Sequence, residues 1–516
     1  MNVLLITTDQ HRADSIGAYG SPVCQTPNLD RLAAAGTRFD ACRTQHPFCQ
    51  PSRATILTGQ YPSTHGVVFN GYDLPEEAAA QSVATYFAQA GWATGFMGKA
   101  HFASTYPYFP TGALESVAGS ALMPEGWTGP YFGFDFVQLV LFGHAMRLTP
   151  MQGLFSWCFG PAPMGLHYGR WLYRDGPDKG NERMRLMQPE AAGAEWDHTQ
   201  TWTSALPEED HPTTWIADRA VEWLRGRAGE DRPFFGWVSF TDPHHPMDAP
   251  EPWGRMYDPD DVAEVLPVRH EGELERKPEL HRIWALGNRG GRFEWANPGG
   301  GLLSPAELAT MIAGYYGMVS QLDHNIGRIL DTLDELALAD DTLVIMTTDH
   351  GELLGDHQQI FKGPLHYEGL LRIPLIARGP GVPAGAVVRE PVGTIDLAPT
   401  MLRAAGLEVP DHCEGAPLPG IAGTPTGERE HVLTEDDFDV VAIIPLRTIT
   451  TDRYKLTRYL DDDELGELYD LDEDPGELVN RWGDEVYRGV RDDLLGLLRD
   501  VMPARGRVLP KVGLVG

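Results

Sequence analysis

Two stretches of the chain share one pattern, an unbroken apolar run that ends in Thr-Thr-Asp. They are residues 3–9 and 343–349. Apolar runs without polar alternation are typical of strands that are buried on both faces, as in a parallel sheet covered by helices. Asp9 and Asp349 then lie at strand carboxyl ends, where open α/β sheets bind their ligands. The pattern predicts that the two carboxylates meet over adjacent strands.

Helical patterns alternate with strands along the first 425 residues. Helices are predicted at 28–35, 82–90, 213–225 and 306–336, and further strands at 92–97 and 233–240. The patterns at 28–35 and 82–90 each end before a glycine, which is a common helix terminator. This alternation predicts an α/β fold with a large, doubly wound, mostly parallel sheet flanked by helices.

Two long segments, at about 105–210 and 247–300, interrupt this alternation. They are rich in glycine, proline and aromatic residues without clear periodicity, and such excursions commonly shape a substrate pocket. After residue 425 the pattern changes to short extended pieces, acidic turns and a final helix at 487–499. We therefore expect a main domain of residues 1–425 and a small C-terminal α+β subdomain, residues 426–516, with an antiparallel sheet.

Composition narrows the class of protein. The 516 residues are 42% hydrophobic, enough for a large core, and carry a formal net charge of −32. The acidic balance argues against nucleic acid or an anionic membrane as a partner. The five cysteines, an odd and scattered set, do not indicate a disulfide framework. Since no secretion leader or membrane-spanning segment is evident, we expect a cytoplasmic protein.

The segment Cys49-Gln50-Pro51-Ser52-Arg53 places a thiol, a proline and a permanent cation within about one helical turn. Pro51 suits the first turn of a helix, so Cys49 is predicted at a helix N-terminus. The free N–H groups there favour a thiolate or a bound oxyanion. A buried cysteine that caps a helix explains the segment equally well. These residues alone leave a nucleophile and a structural cysteine balanced.

The two Thr-Thr-Asp strand ends also offer a metal site. Asp9 is followed by Gln10, and Asp349 by His350. Oxygen-rich sites with at most one imidazole suit Ca²⁺, Mg²⁺ or Mn²⁺ better than structural Zn²⁺. Each aspartate alone fits a helix cap after a strand, but the matched pairs favour a metal.

Lys99 and His101 follow the strand predicted at 92–97. They stand two residues apart, so in an extended backbone both side chains project to one side. A cation and an imidazole on one face can bind an anion and transfer a proton. Only six lysines occur in the chain, which makes a solvated strand end a weaker explanation of the pair.

A histidine pair and another lysine are further candidates. His244 and His245 stand between prolines after the strand at 233–240 and, being adjacent, are expected to point two ways, so that one enters the site. Lys362 follows Asp349 closely enough to return to the same site, although an ordinary surface lysine is the alternative.

Together these segments resemble a type I sulfatase of the alkaline phosphatase superfamily. The resemblance extends from residue 1 to about residue 480. Its segments in chain order are the Asp9 strand, 26–30, 49–53 with 57–59, 98–101, 243–246, 348–351 and 467–471. The ordered set is specific, whereas any single member is weak. The resemblance implies an alkaline-phosphatase-like fold and hydrolysis of small-molecule sulfate monoesters.

The resemblance implies that Cys49 is oxidised by a formylglycine-generating enzyme to formylglycine, an aldehyde whose hydrate is the nucleophile. It also implies one divalent ion, with Ca²⁺ expected first and Mn²⁺ second, in contact with that hydrate. The implied ligands of the ion are Asp9, Gln10, Asp349, His350 and the modified Cys49.

The other implied roles concern the sulfate and its protons. Arg53 would orient the hydrate and the anion, while Lys99 and Lys362 would bind the sulfate. His244 or Lys362 would assist departure of the alcohol. His101 would take a proton from the sulfated intermediate and so expel sulfate.

Gln10 departs from the pattern, because many sulfatases carry a second carboxylate there. The Asp-Gln start resembles the phosphonate monoester and phosphodiester hydrolases of the superfamily. Asn70 falls where that branch and choline-sulfatase-like enzymes place a substrate-contacting asparagine. Lys99 and His101 are sulfatase-like, since that branch tends to carry Tyr and Thr there. We therefore rank sulfate monoesters first and phosphonates or phosphodiesters second.

Other classes of protein fit less well. A non-catalytic anion-binding protein with an unmodified Cys49 leaves the ordered set of segments unexplained. Metal-dependent phosphomutases and phosphatases generally use Ser or Thr as the nucleophile. The sequence does not identify the physiological ester, and it leaves a homo-oligomer open.

Overall fold

The architecture comes from a computed structural model. The structure describes residues 1–144, 163–195, 197, 199–286, 303–439, 443–504 and 506–513. Parts of the two predicted excursions, and Cys158, lie outside the described residues. Within the described residues, none of the helices has the length and apolar character needed to cross a membrane.

The described strands belong to three sheets. They are β1 Asn2–Thr8, β2 Thr37–Phe39, β3 Cys42–Arg43, β4 Ala93–Lys99, β5 Phe136–Val140, β6 Phe234–Ser239, β7 Thr342–Thr348, β8 Leu375–Arg378, β9 Ala386–Val388, β10 Val392–Gly393, β11 Val432–Asp439, β12 Ile443–Thr450, β13 Tyr454–Tyr459 and β14 Gly466–Asp470. The strands β3 and β10 form a separate two-stranded sheet.

The described α-helices are α1 Pro27–Ala34, α2 Cys49–Thr58, α3 Pro62–His65, α4 Val83–Gln89, α5 Val117–Ala121, α6 His167–Leu172, α7 Pro177–Leu186, α8 Pro212–Arg225, α9 Glu279–Leu286, α10 Pro305–Glu335, α11 Glu368–Leu371, α12 Leu397–Ala404 and α13 Arg488–Val501. The longest is α10, which was predicted at 306–336. Ser304 caps its start, because its side chain accepts from the backbone N–H of Glu307 and the Glu307 carboxylate accepts from that of Ser304.

The large sheet has the strand order β5-β4-β6-β1-β7-β8-β2-β9. Only β8 runs antiparallel to its neighbours, and the other described pairs are parallel. Every residue of β1 is buried. Val3 and Leu5 pack in one apolar core and Leu4 in a second core on the opposite face. The predicted doubly wound, mostly parallel sheet is confirmed.

Residues 105–210 contain more regular structure than predicted. The strand β5 forms an edge of the large sheet there, and the helices α5, α6 and α7 lie in the same segment. The expectation of an irregular excursion was wrong because these elements are either very short or, like the ten-residue α7, mostly polar and therefore without an apolar period. Five residues of sequence Phe-Val-Gln-Leu-Val do not show a period that distinguishes strand from loop.

The C-terminal part forms the expected α+β unit. Strands β11 to β14 make an antiparallel sheet, and α13 packs its apolar face against it. The unit attaches close to α2, since Glu435 N donates to the carbonyl of Gln45 at 2.9 Å and Thr434 Oγ1 to that of Thr44 at 2.7 Å. The boundary between residues 425 and 426 stays a prediction.

Candidate active site

Cys49 begins a helix that is buried along its whole length. All ten residues of α2 are buried, and Cys49 is 1% exposed. Phe48 before it is extended, Pro51 lies in the first turn, and Gly59 ends the helix with a φ of 68°. This left-handed conformation costs glycine little. The predicted helix start at the thiol is confirmed.

Asp9 and Asp349 leave adjacent strands side by side. The strands β1 and β7 pair in parallel with Thr8 opposite Thr348, so the residues that follow meet at one edge of the sheet. Both carboxylates are fully buried. Their predicted meeting is confirmed, and because buried carboxylates lose their hydration, they require partners.

Arg53 binds both carboxylates. Its Nη2 donates to Asp9 Oδ2 at 2.9 Å, and its Nε donates to Asp349 Oδ2 at 2.8 Å. Its Nη1 donates to the carbonyl oxygen of Lys99 and to Ser239 Oγ, both at 2.7 Å. A planar guanidinium matches such divergent acceptors, and Arg53 therefore fixes the carboxylates relative to the strand ends. Its role in orienting a bound anion stays a prediction.

The Cys49 thiol lies among charged groups. Its Sγ is 3.0 Å from Lys362 Nζ, 3.1 Å from His350 Nε2 and 3.6 Å from Asp9 Oδ1. Burial and the Asp9 carboxylate oppose ionisation of the thiol. Lys362 and Lys99, helped by His350, outweigh both, so the pKa of the thiol lies below its ordinary value. Lys362 is thus part of the site and not an ordinary surface lysine.

Four side chains converge as a cation site requires. Donor atoms of Asp9, Cys49, Asp349 and His350 lie within 4.8 Å of one another. His350 Nδ1 donates to the carbonyl oxygen of Gly351 at 2.9 Å. The lone pair of a neutral ring is then on Nε2, which lies 3.8 Å from an oxygen of each carboxylate.

Gln10 adjoins this donor set, because its backbone N–H donates to Asp349 Oδ1 at 3.2 Å. Its side-chain nitrogen contacts Glu352 and, at 3.0 Å, His245 Nδ1. Its Oε1 is buried and has no hydrogen-bond partner among the described residues. Leaving such an oxygen unpaired costs about 1–3 kcal/mol, and a cation would satisfy it. An oxygen-rich set with one imidazole fits Ca²⁺ or Mn²⁺.

Lys99 and His101 enter the site by a route that differs from the prediction. Lys99 Nζ lies 2.8 Å from Asp9 Oδ2. His101 has a φ of 53°, so the extended-backbone argument for the pair was wrong. Glu115 holds this turn, because its carboxylate accepts from the N–H groups of His101 and Phe102 at 2.5 and 2.9 Å. Burial and then the charge of Lys99 lower the pKa of His101, which keeps the ring neutral.

Comparison with known proteins accounts for this geometry. The family model described as Sulfatase matches residues 1–407. A second model, described as N-sulphoglucosamine sulphohydrolase, C-terminal, matches residues 355–503. The chain belongs to the sulfatase family.

Individual relatives of this sulfatase match along nearly their whole length. It is 28% identical over 505 residues to an arylsulfatase of Clostridium perfringens, covering 96% of this chain and 93% of that protein. It is 31% identical over 517 residues to the multifunctional alkaline phosphatase superfamily protein PehA of Trinickia caryophylli, covering 95% and 93%. The crystal structure of a phosphonate monoester hydrolase of Agrobacterium radiobacter has a TM-score of 0.75 and 29% identity, covering 97% and 96%. The predicted family and fold are confirmed: the protein is a sulfatase enzyme, a hydrolase of sulfate esters.

The histidine pair of this sulfatase stacks instead of diverging. The ring centroids of His244 and His245 are 4.1 Å apart, and His245 also packs 4.2 Å from the ring of Phe361. The prediction that the rings point two ways was wrong. Both lie at the active centre, since His245 contacts Gln10, and burial, His245 and the Lys362 charge lower the pKa of His244.

The side chain of Asn70 lies beside the first turn of α2. It is buried, and its Oδ1 accepts from the backbone N–H of Gln50 at 3.0 Å. This contact satisfies one of the free donors of the helix N-terminus next to Cys49. A substrate contact of Asn70 stays a prediction.

Three supporting residues of the sulfatase site escaped the sequence reasoning. They are Glu115, Ser239 and Glu352, all buried. Glu352 stands two residues after His350, and this spacing was the one available signal. Glu115 and Ser239 act on backbone and guanidinium groups that come together only in the folded chain, so no local pattern indicates them.

Proposed function

We propose that this sulfatase hydrolyses small-molecule sulfate monoesters with the hydrate of a formylglycine, made from Cys49, as the nucleophile. One observation carries the proposal. Cys49 Sγ lies within 3.6 Å of a carboxylate, an imidazole and an ammonium group. The side chain of Cys49 is therefore in reach of two proposed metal ligands, Asp9 and His350, and of the ammonium group proposed to bind the anion, which supports a reactive role.

Asp9, Gln10, Asp349 and His350 would hold the divalent ion. When bound, such an ion supplies positive charge that lowers the pKa of a hydroxyl group and offsets charge on a sulfate oxygen. We propose Ca²⁺ first and Mn²⁺ second, because oxygen donors outnumber the single imidazole. The buried, unpartnered Gln10 Oε1 supports its inclusion among the ligands.

Lys99 and Lys362 are the proposed sulfate-binding groups. Lys99 Nζ pairs with Asp9, and Lys362 Nζ contacts Cys49 Sγ at 3.0 Å, so the two ammonium groups reach the active centre from separate segments of the chain. A tetrahedral anion beside the Cys49 side chain would contact both. Burial opposes the charge of Lys362, but Cys49, Asp9 and Asp349 outweigh it and raise the pKa of Lys362 above its ordinary value.

Lys362 and His101 are the proposed proton-transfer groups. Lys362, next to the nucleophile, is proposed to protonate the departing alcohol. His244 is less suited, because its Nδ1 donates to the carbonyl of His245 at 2.6 Å and its other ring nitrogen then has no proton in the neutral form. His101 is proposed to accept the proton of the remaining hydroxyl, so that the aldehyde C=O reforms as the C–O bond to sulfate breaks.

Phosphonate monoester or phosphodiester hydrolysis is the second candidate. Gln10 supports it, as does the likeness to a phosphonate monoester hydrolase at 29% identity. Lys99 and His101 support the sulfate ester, because that branch tends to carry Tyr and Thr at these positions.

Side-by-side rates decide between the two. We expect kcat/KM for an aryl sulfate to exceed that for a phosphonate monoester and a phosphodiester, with about one metal ion per active site measured in parallel. A variant with Lys99→Tyr and His101→Thr should shift the ratio toward the phosphonate. If the unaltered enzyme prefers the phosphonate, the second candidate replaces the first.

Maturation is tested on the peptide that contains Cys49. After co-expression with a formylglycine-generating enzyme, its mass should show an aldehyde in place of the thiol. A fully active enzyme whose Cys49 is wholly unmodified would contradict the proposed nucleophile. The cytoplasmic location stays a prediction.

A further inference from the structure

Four buried ionisable side chains lie beside the active centre without a role in the proposed reaction. His144 follows β5, His211 directly precedes α8, and Asp242 and Asp248 follow β6. Their exposed fractions are between 0% and 4%. We call them the flanking cluster. Because β5 and β6 both run parallel to β4, the cluster lies at the sheet edge that also carries Lys99.

The ring of His144 lies between two carboxylates. Its Nδ1 is 2.6 Å from Asp248 Oδ1, and its Nε2 is 2.8 Å from Asp242 Oδ1. The ring of His211 is edge-on to it, with centroids 5.5 Å apart. Donor atoms of His144, His211 and Asp248 lie within 4.8 Å of one another. Three ligands from three chain segments therefore meet in one buried place.

Two atoms of the cluster lack partners. Among the described residues, no hydrogen bond reaches His211 Nε2 or Asp242 Oδ2, although both atoms are buried. No lysine or arginine in the described part of the chain forms an ion pair with Asp242 or Asp248. Protonation of His144 balances only one of the two carboxylates. Unpaired buried polar atoms are rare in native proteins and indicate a bound water or ion.

We propose that His144, His211 and Asp248 bind a divalent transition metal ion of the zinc class and that Asp242 positions His144. His144 would bind through Nδ1, which releases its proton, while its Nε2–H donates to Asp242. A carboxylate that holds the second nitrogen of a ligating histidine is a recurrent feature of metal sites. Two imidazoles and one carboxylate favour Zn²⁺ over Ca²⁺ or Mg²⁺, which prefer oxygen.

Gln321 positions the second imidazole. Its side-chain nitrogen lies 3.3 Å from His211 Nδ1, and its Oε1 has no partner among the described residues. A half-turn of the amide lets Oε1 accept from Nδ1–H of His211. The lone pair of His211 is then on Nε2, the atom that lacks a partner.

The proposed ion would fix the loop that carries the histidine pair of the active site. Asp242 and Asp248 bracket His244 and His245 in the sequence. The Asp242 carbonyl oxygen also accepts from the backbone N–H of Asp9 at 3.0 Å. Both ends of the loop are thus tied to the flanking cluster, and the ion would have a structural role beside the reaction.

Cobalt binding tests the proposed zinc site in a variant that lacks one of the proposed metal ligands of the active centre. Asp349→Ala protein, stripped with a chelator and titrated with Co²⁺, should bind one equivalent with visible absorption bands of a nitrogen- and oxygen-ligated ion. Adding His211→Ala or the isosteric Asp248→Asn should weaken binding by about 100-fold or more, and Asp242→Asn by roughly 10–100-fold. His324→Ala, an exposed histidine of α10, is the matched control and should change nothing.

The difference between paired variants decides the outcome, since any ion left at the active centre adds equally to both. A second comparison uses the otherwise unaltered enzyme loaded with Zn²⁺, in which His211→Ala should lower the metal count per chain by one. Circular dichroism confirms that each variant is folded. Equal metal counts with and without the cluster substitutions would overturn the proposal and leave a histidine bridged to two aspartates, with water at the unpaired atoms.

Discussion

The active centre and the flanking cluster lie at the same sheet edge but balance buried negative charge in different ways. Asp9 and Asp349 face Arg53, a guanidinium that stays charged throughout the physiological pH range, and Asp9 also pairs with Lys99. Among the described residues, the ion-pair partner that Asp242 and Asp248 share is His144. The difference teaches that the active centre is organised around a permanent cation, whereas the charge balance of the flanking cluster depends on a protonated imidazole or an added ion.

The largest effect is expected at Cys49, whose thiol lies beside the Asp9 carboxylate. Cys49→Ala should lower kcat for an aryl sulfate by roughly 10⁴-fold or more, because it removes the proposed nucleophile. The ion pairs of Arg53 do not involve Sγ and should persist, so the Tm should hardly change. Cys42→Ala, another fully buried cysteine, is the control and should keep its activity. Substantial turnover by Cys49→Ala would contradict the assignment.

The next effect concerns the permanent cation itself. Arg53→Lys cannot reach both carboxylates and two further acceptors, and breaking such a buried pair costs about 3–5 kcal/mol. We expect a lower Tm together with loss of bound metal and activity. Arg43→Lys, which disrupts a pair with Glu368, is the matched control and should affect only stability. Equal activities in both variants would show that Arg53 is not specific to the site.

A smaller effect is expected at Gln10, the uncharged residue among the proposed metal ligands. Glu352→Gln should loosen the Gln10 amide, because the carboxylate that accepts from its nitrogen is lost. Metal affinity, measured by equilibrium dialysis with Ca²⁺ and Mn²⁺, should fall by roughly 10-fold, as for other residues that position ligands. Glu273→Gln, a buried glutamate paired with His357, is the control. An unchanged metal affinity would contradict the role of Glu352 in positioning the Gln10 amide.

The smallest effect is expected at Glu115, a buried carboxyl group that forms no ion pair with any of the described residues. Glu115 accepts from two backbone N–H groups and from Tyr131 Oη, and burial raises its pKa from 4.5 to about 7. Because the pKa is raised in the folded state, its stabilising contribution is complete below the unfolded pKa and is lost as the pH rises through about 7.

Between roughly pH 5.5 and 8 the unaltered protein should therefore lose about 2 kcal/mol of stability that Glu115→Gln does not lose. This corresponds to a difference of about 2 °C in Tm for a chain of this length. Thermal melts across this pH range measure it. Glu125→Gln, an exposed glutamate, is the control. Parallel melting curves for the two variants would contradict the raised pKa of Glu115.

Sequence patterns predicted the parts of the site that depend on one element at a time. The Thr-Thr-Asp endings located Asp9 and Asp349 because an apolar run sets both the strand and the edge where it ends. The proline after Cys49 located the start of α2. Such features are local, and the backbone geometry that they require is common to all strands and helices.

Features that depend on distant segments were not predictable in this way. The left-handed backbone of His101 is held by Glu115, fourteen residues later, so the sequence indicated the residue but not its conformation. The stacking of His244 on His245 depends on Phe361 and Gln10. The flanking cluster joins three segments, each of which contributes a single histidine or a pair of aspartates. Neither is a recognisable motif in the sequence.

The burial of Cys49 has a consequence for how the enzyme is made. The strand end that closes the pocket, at Asp349, is synthesised 300 residues after Cys49. At about 5–20 residues per second, the ribosome takes roughly 15–60 s over that distance. The maturation enzyme that we propose for Cys49 would have this interval in which the side chain is open. Once β7 has joined β1, the same side chain is enclosed, so the order of synthesis would limit the time available for the proposed modification of Cys49.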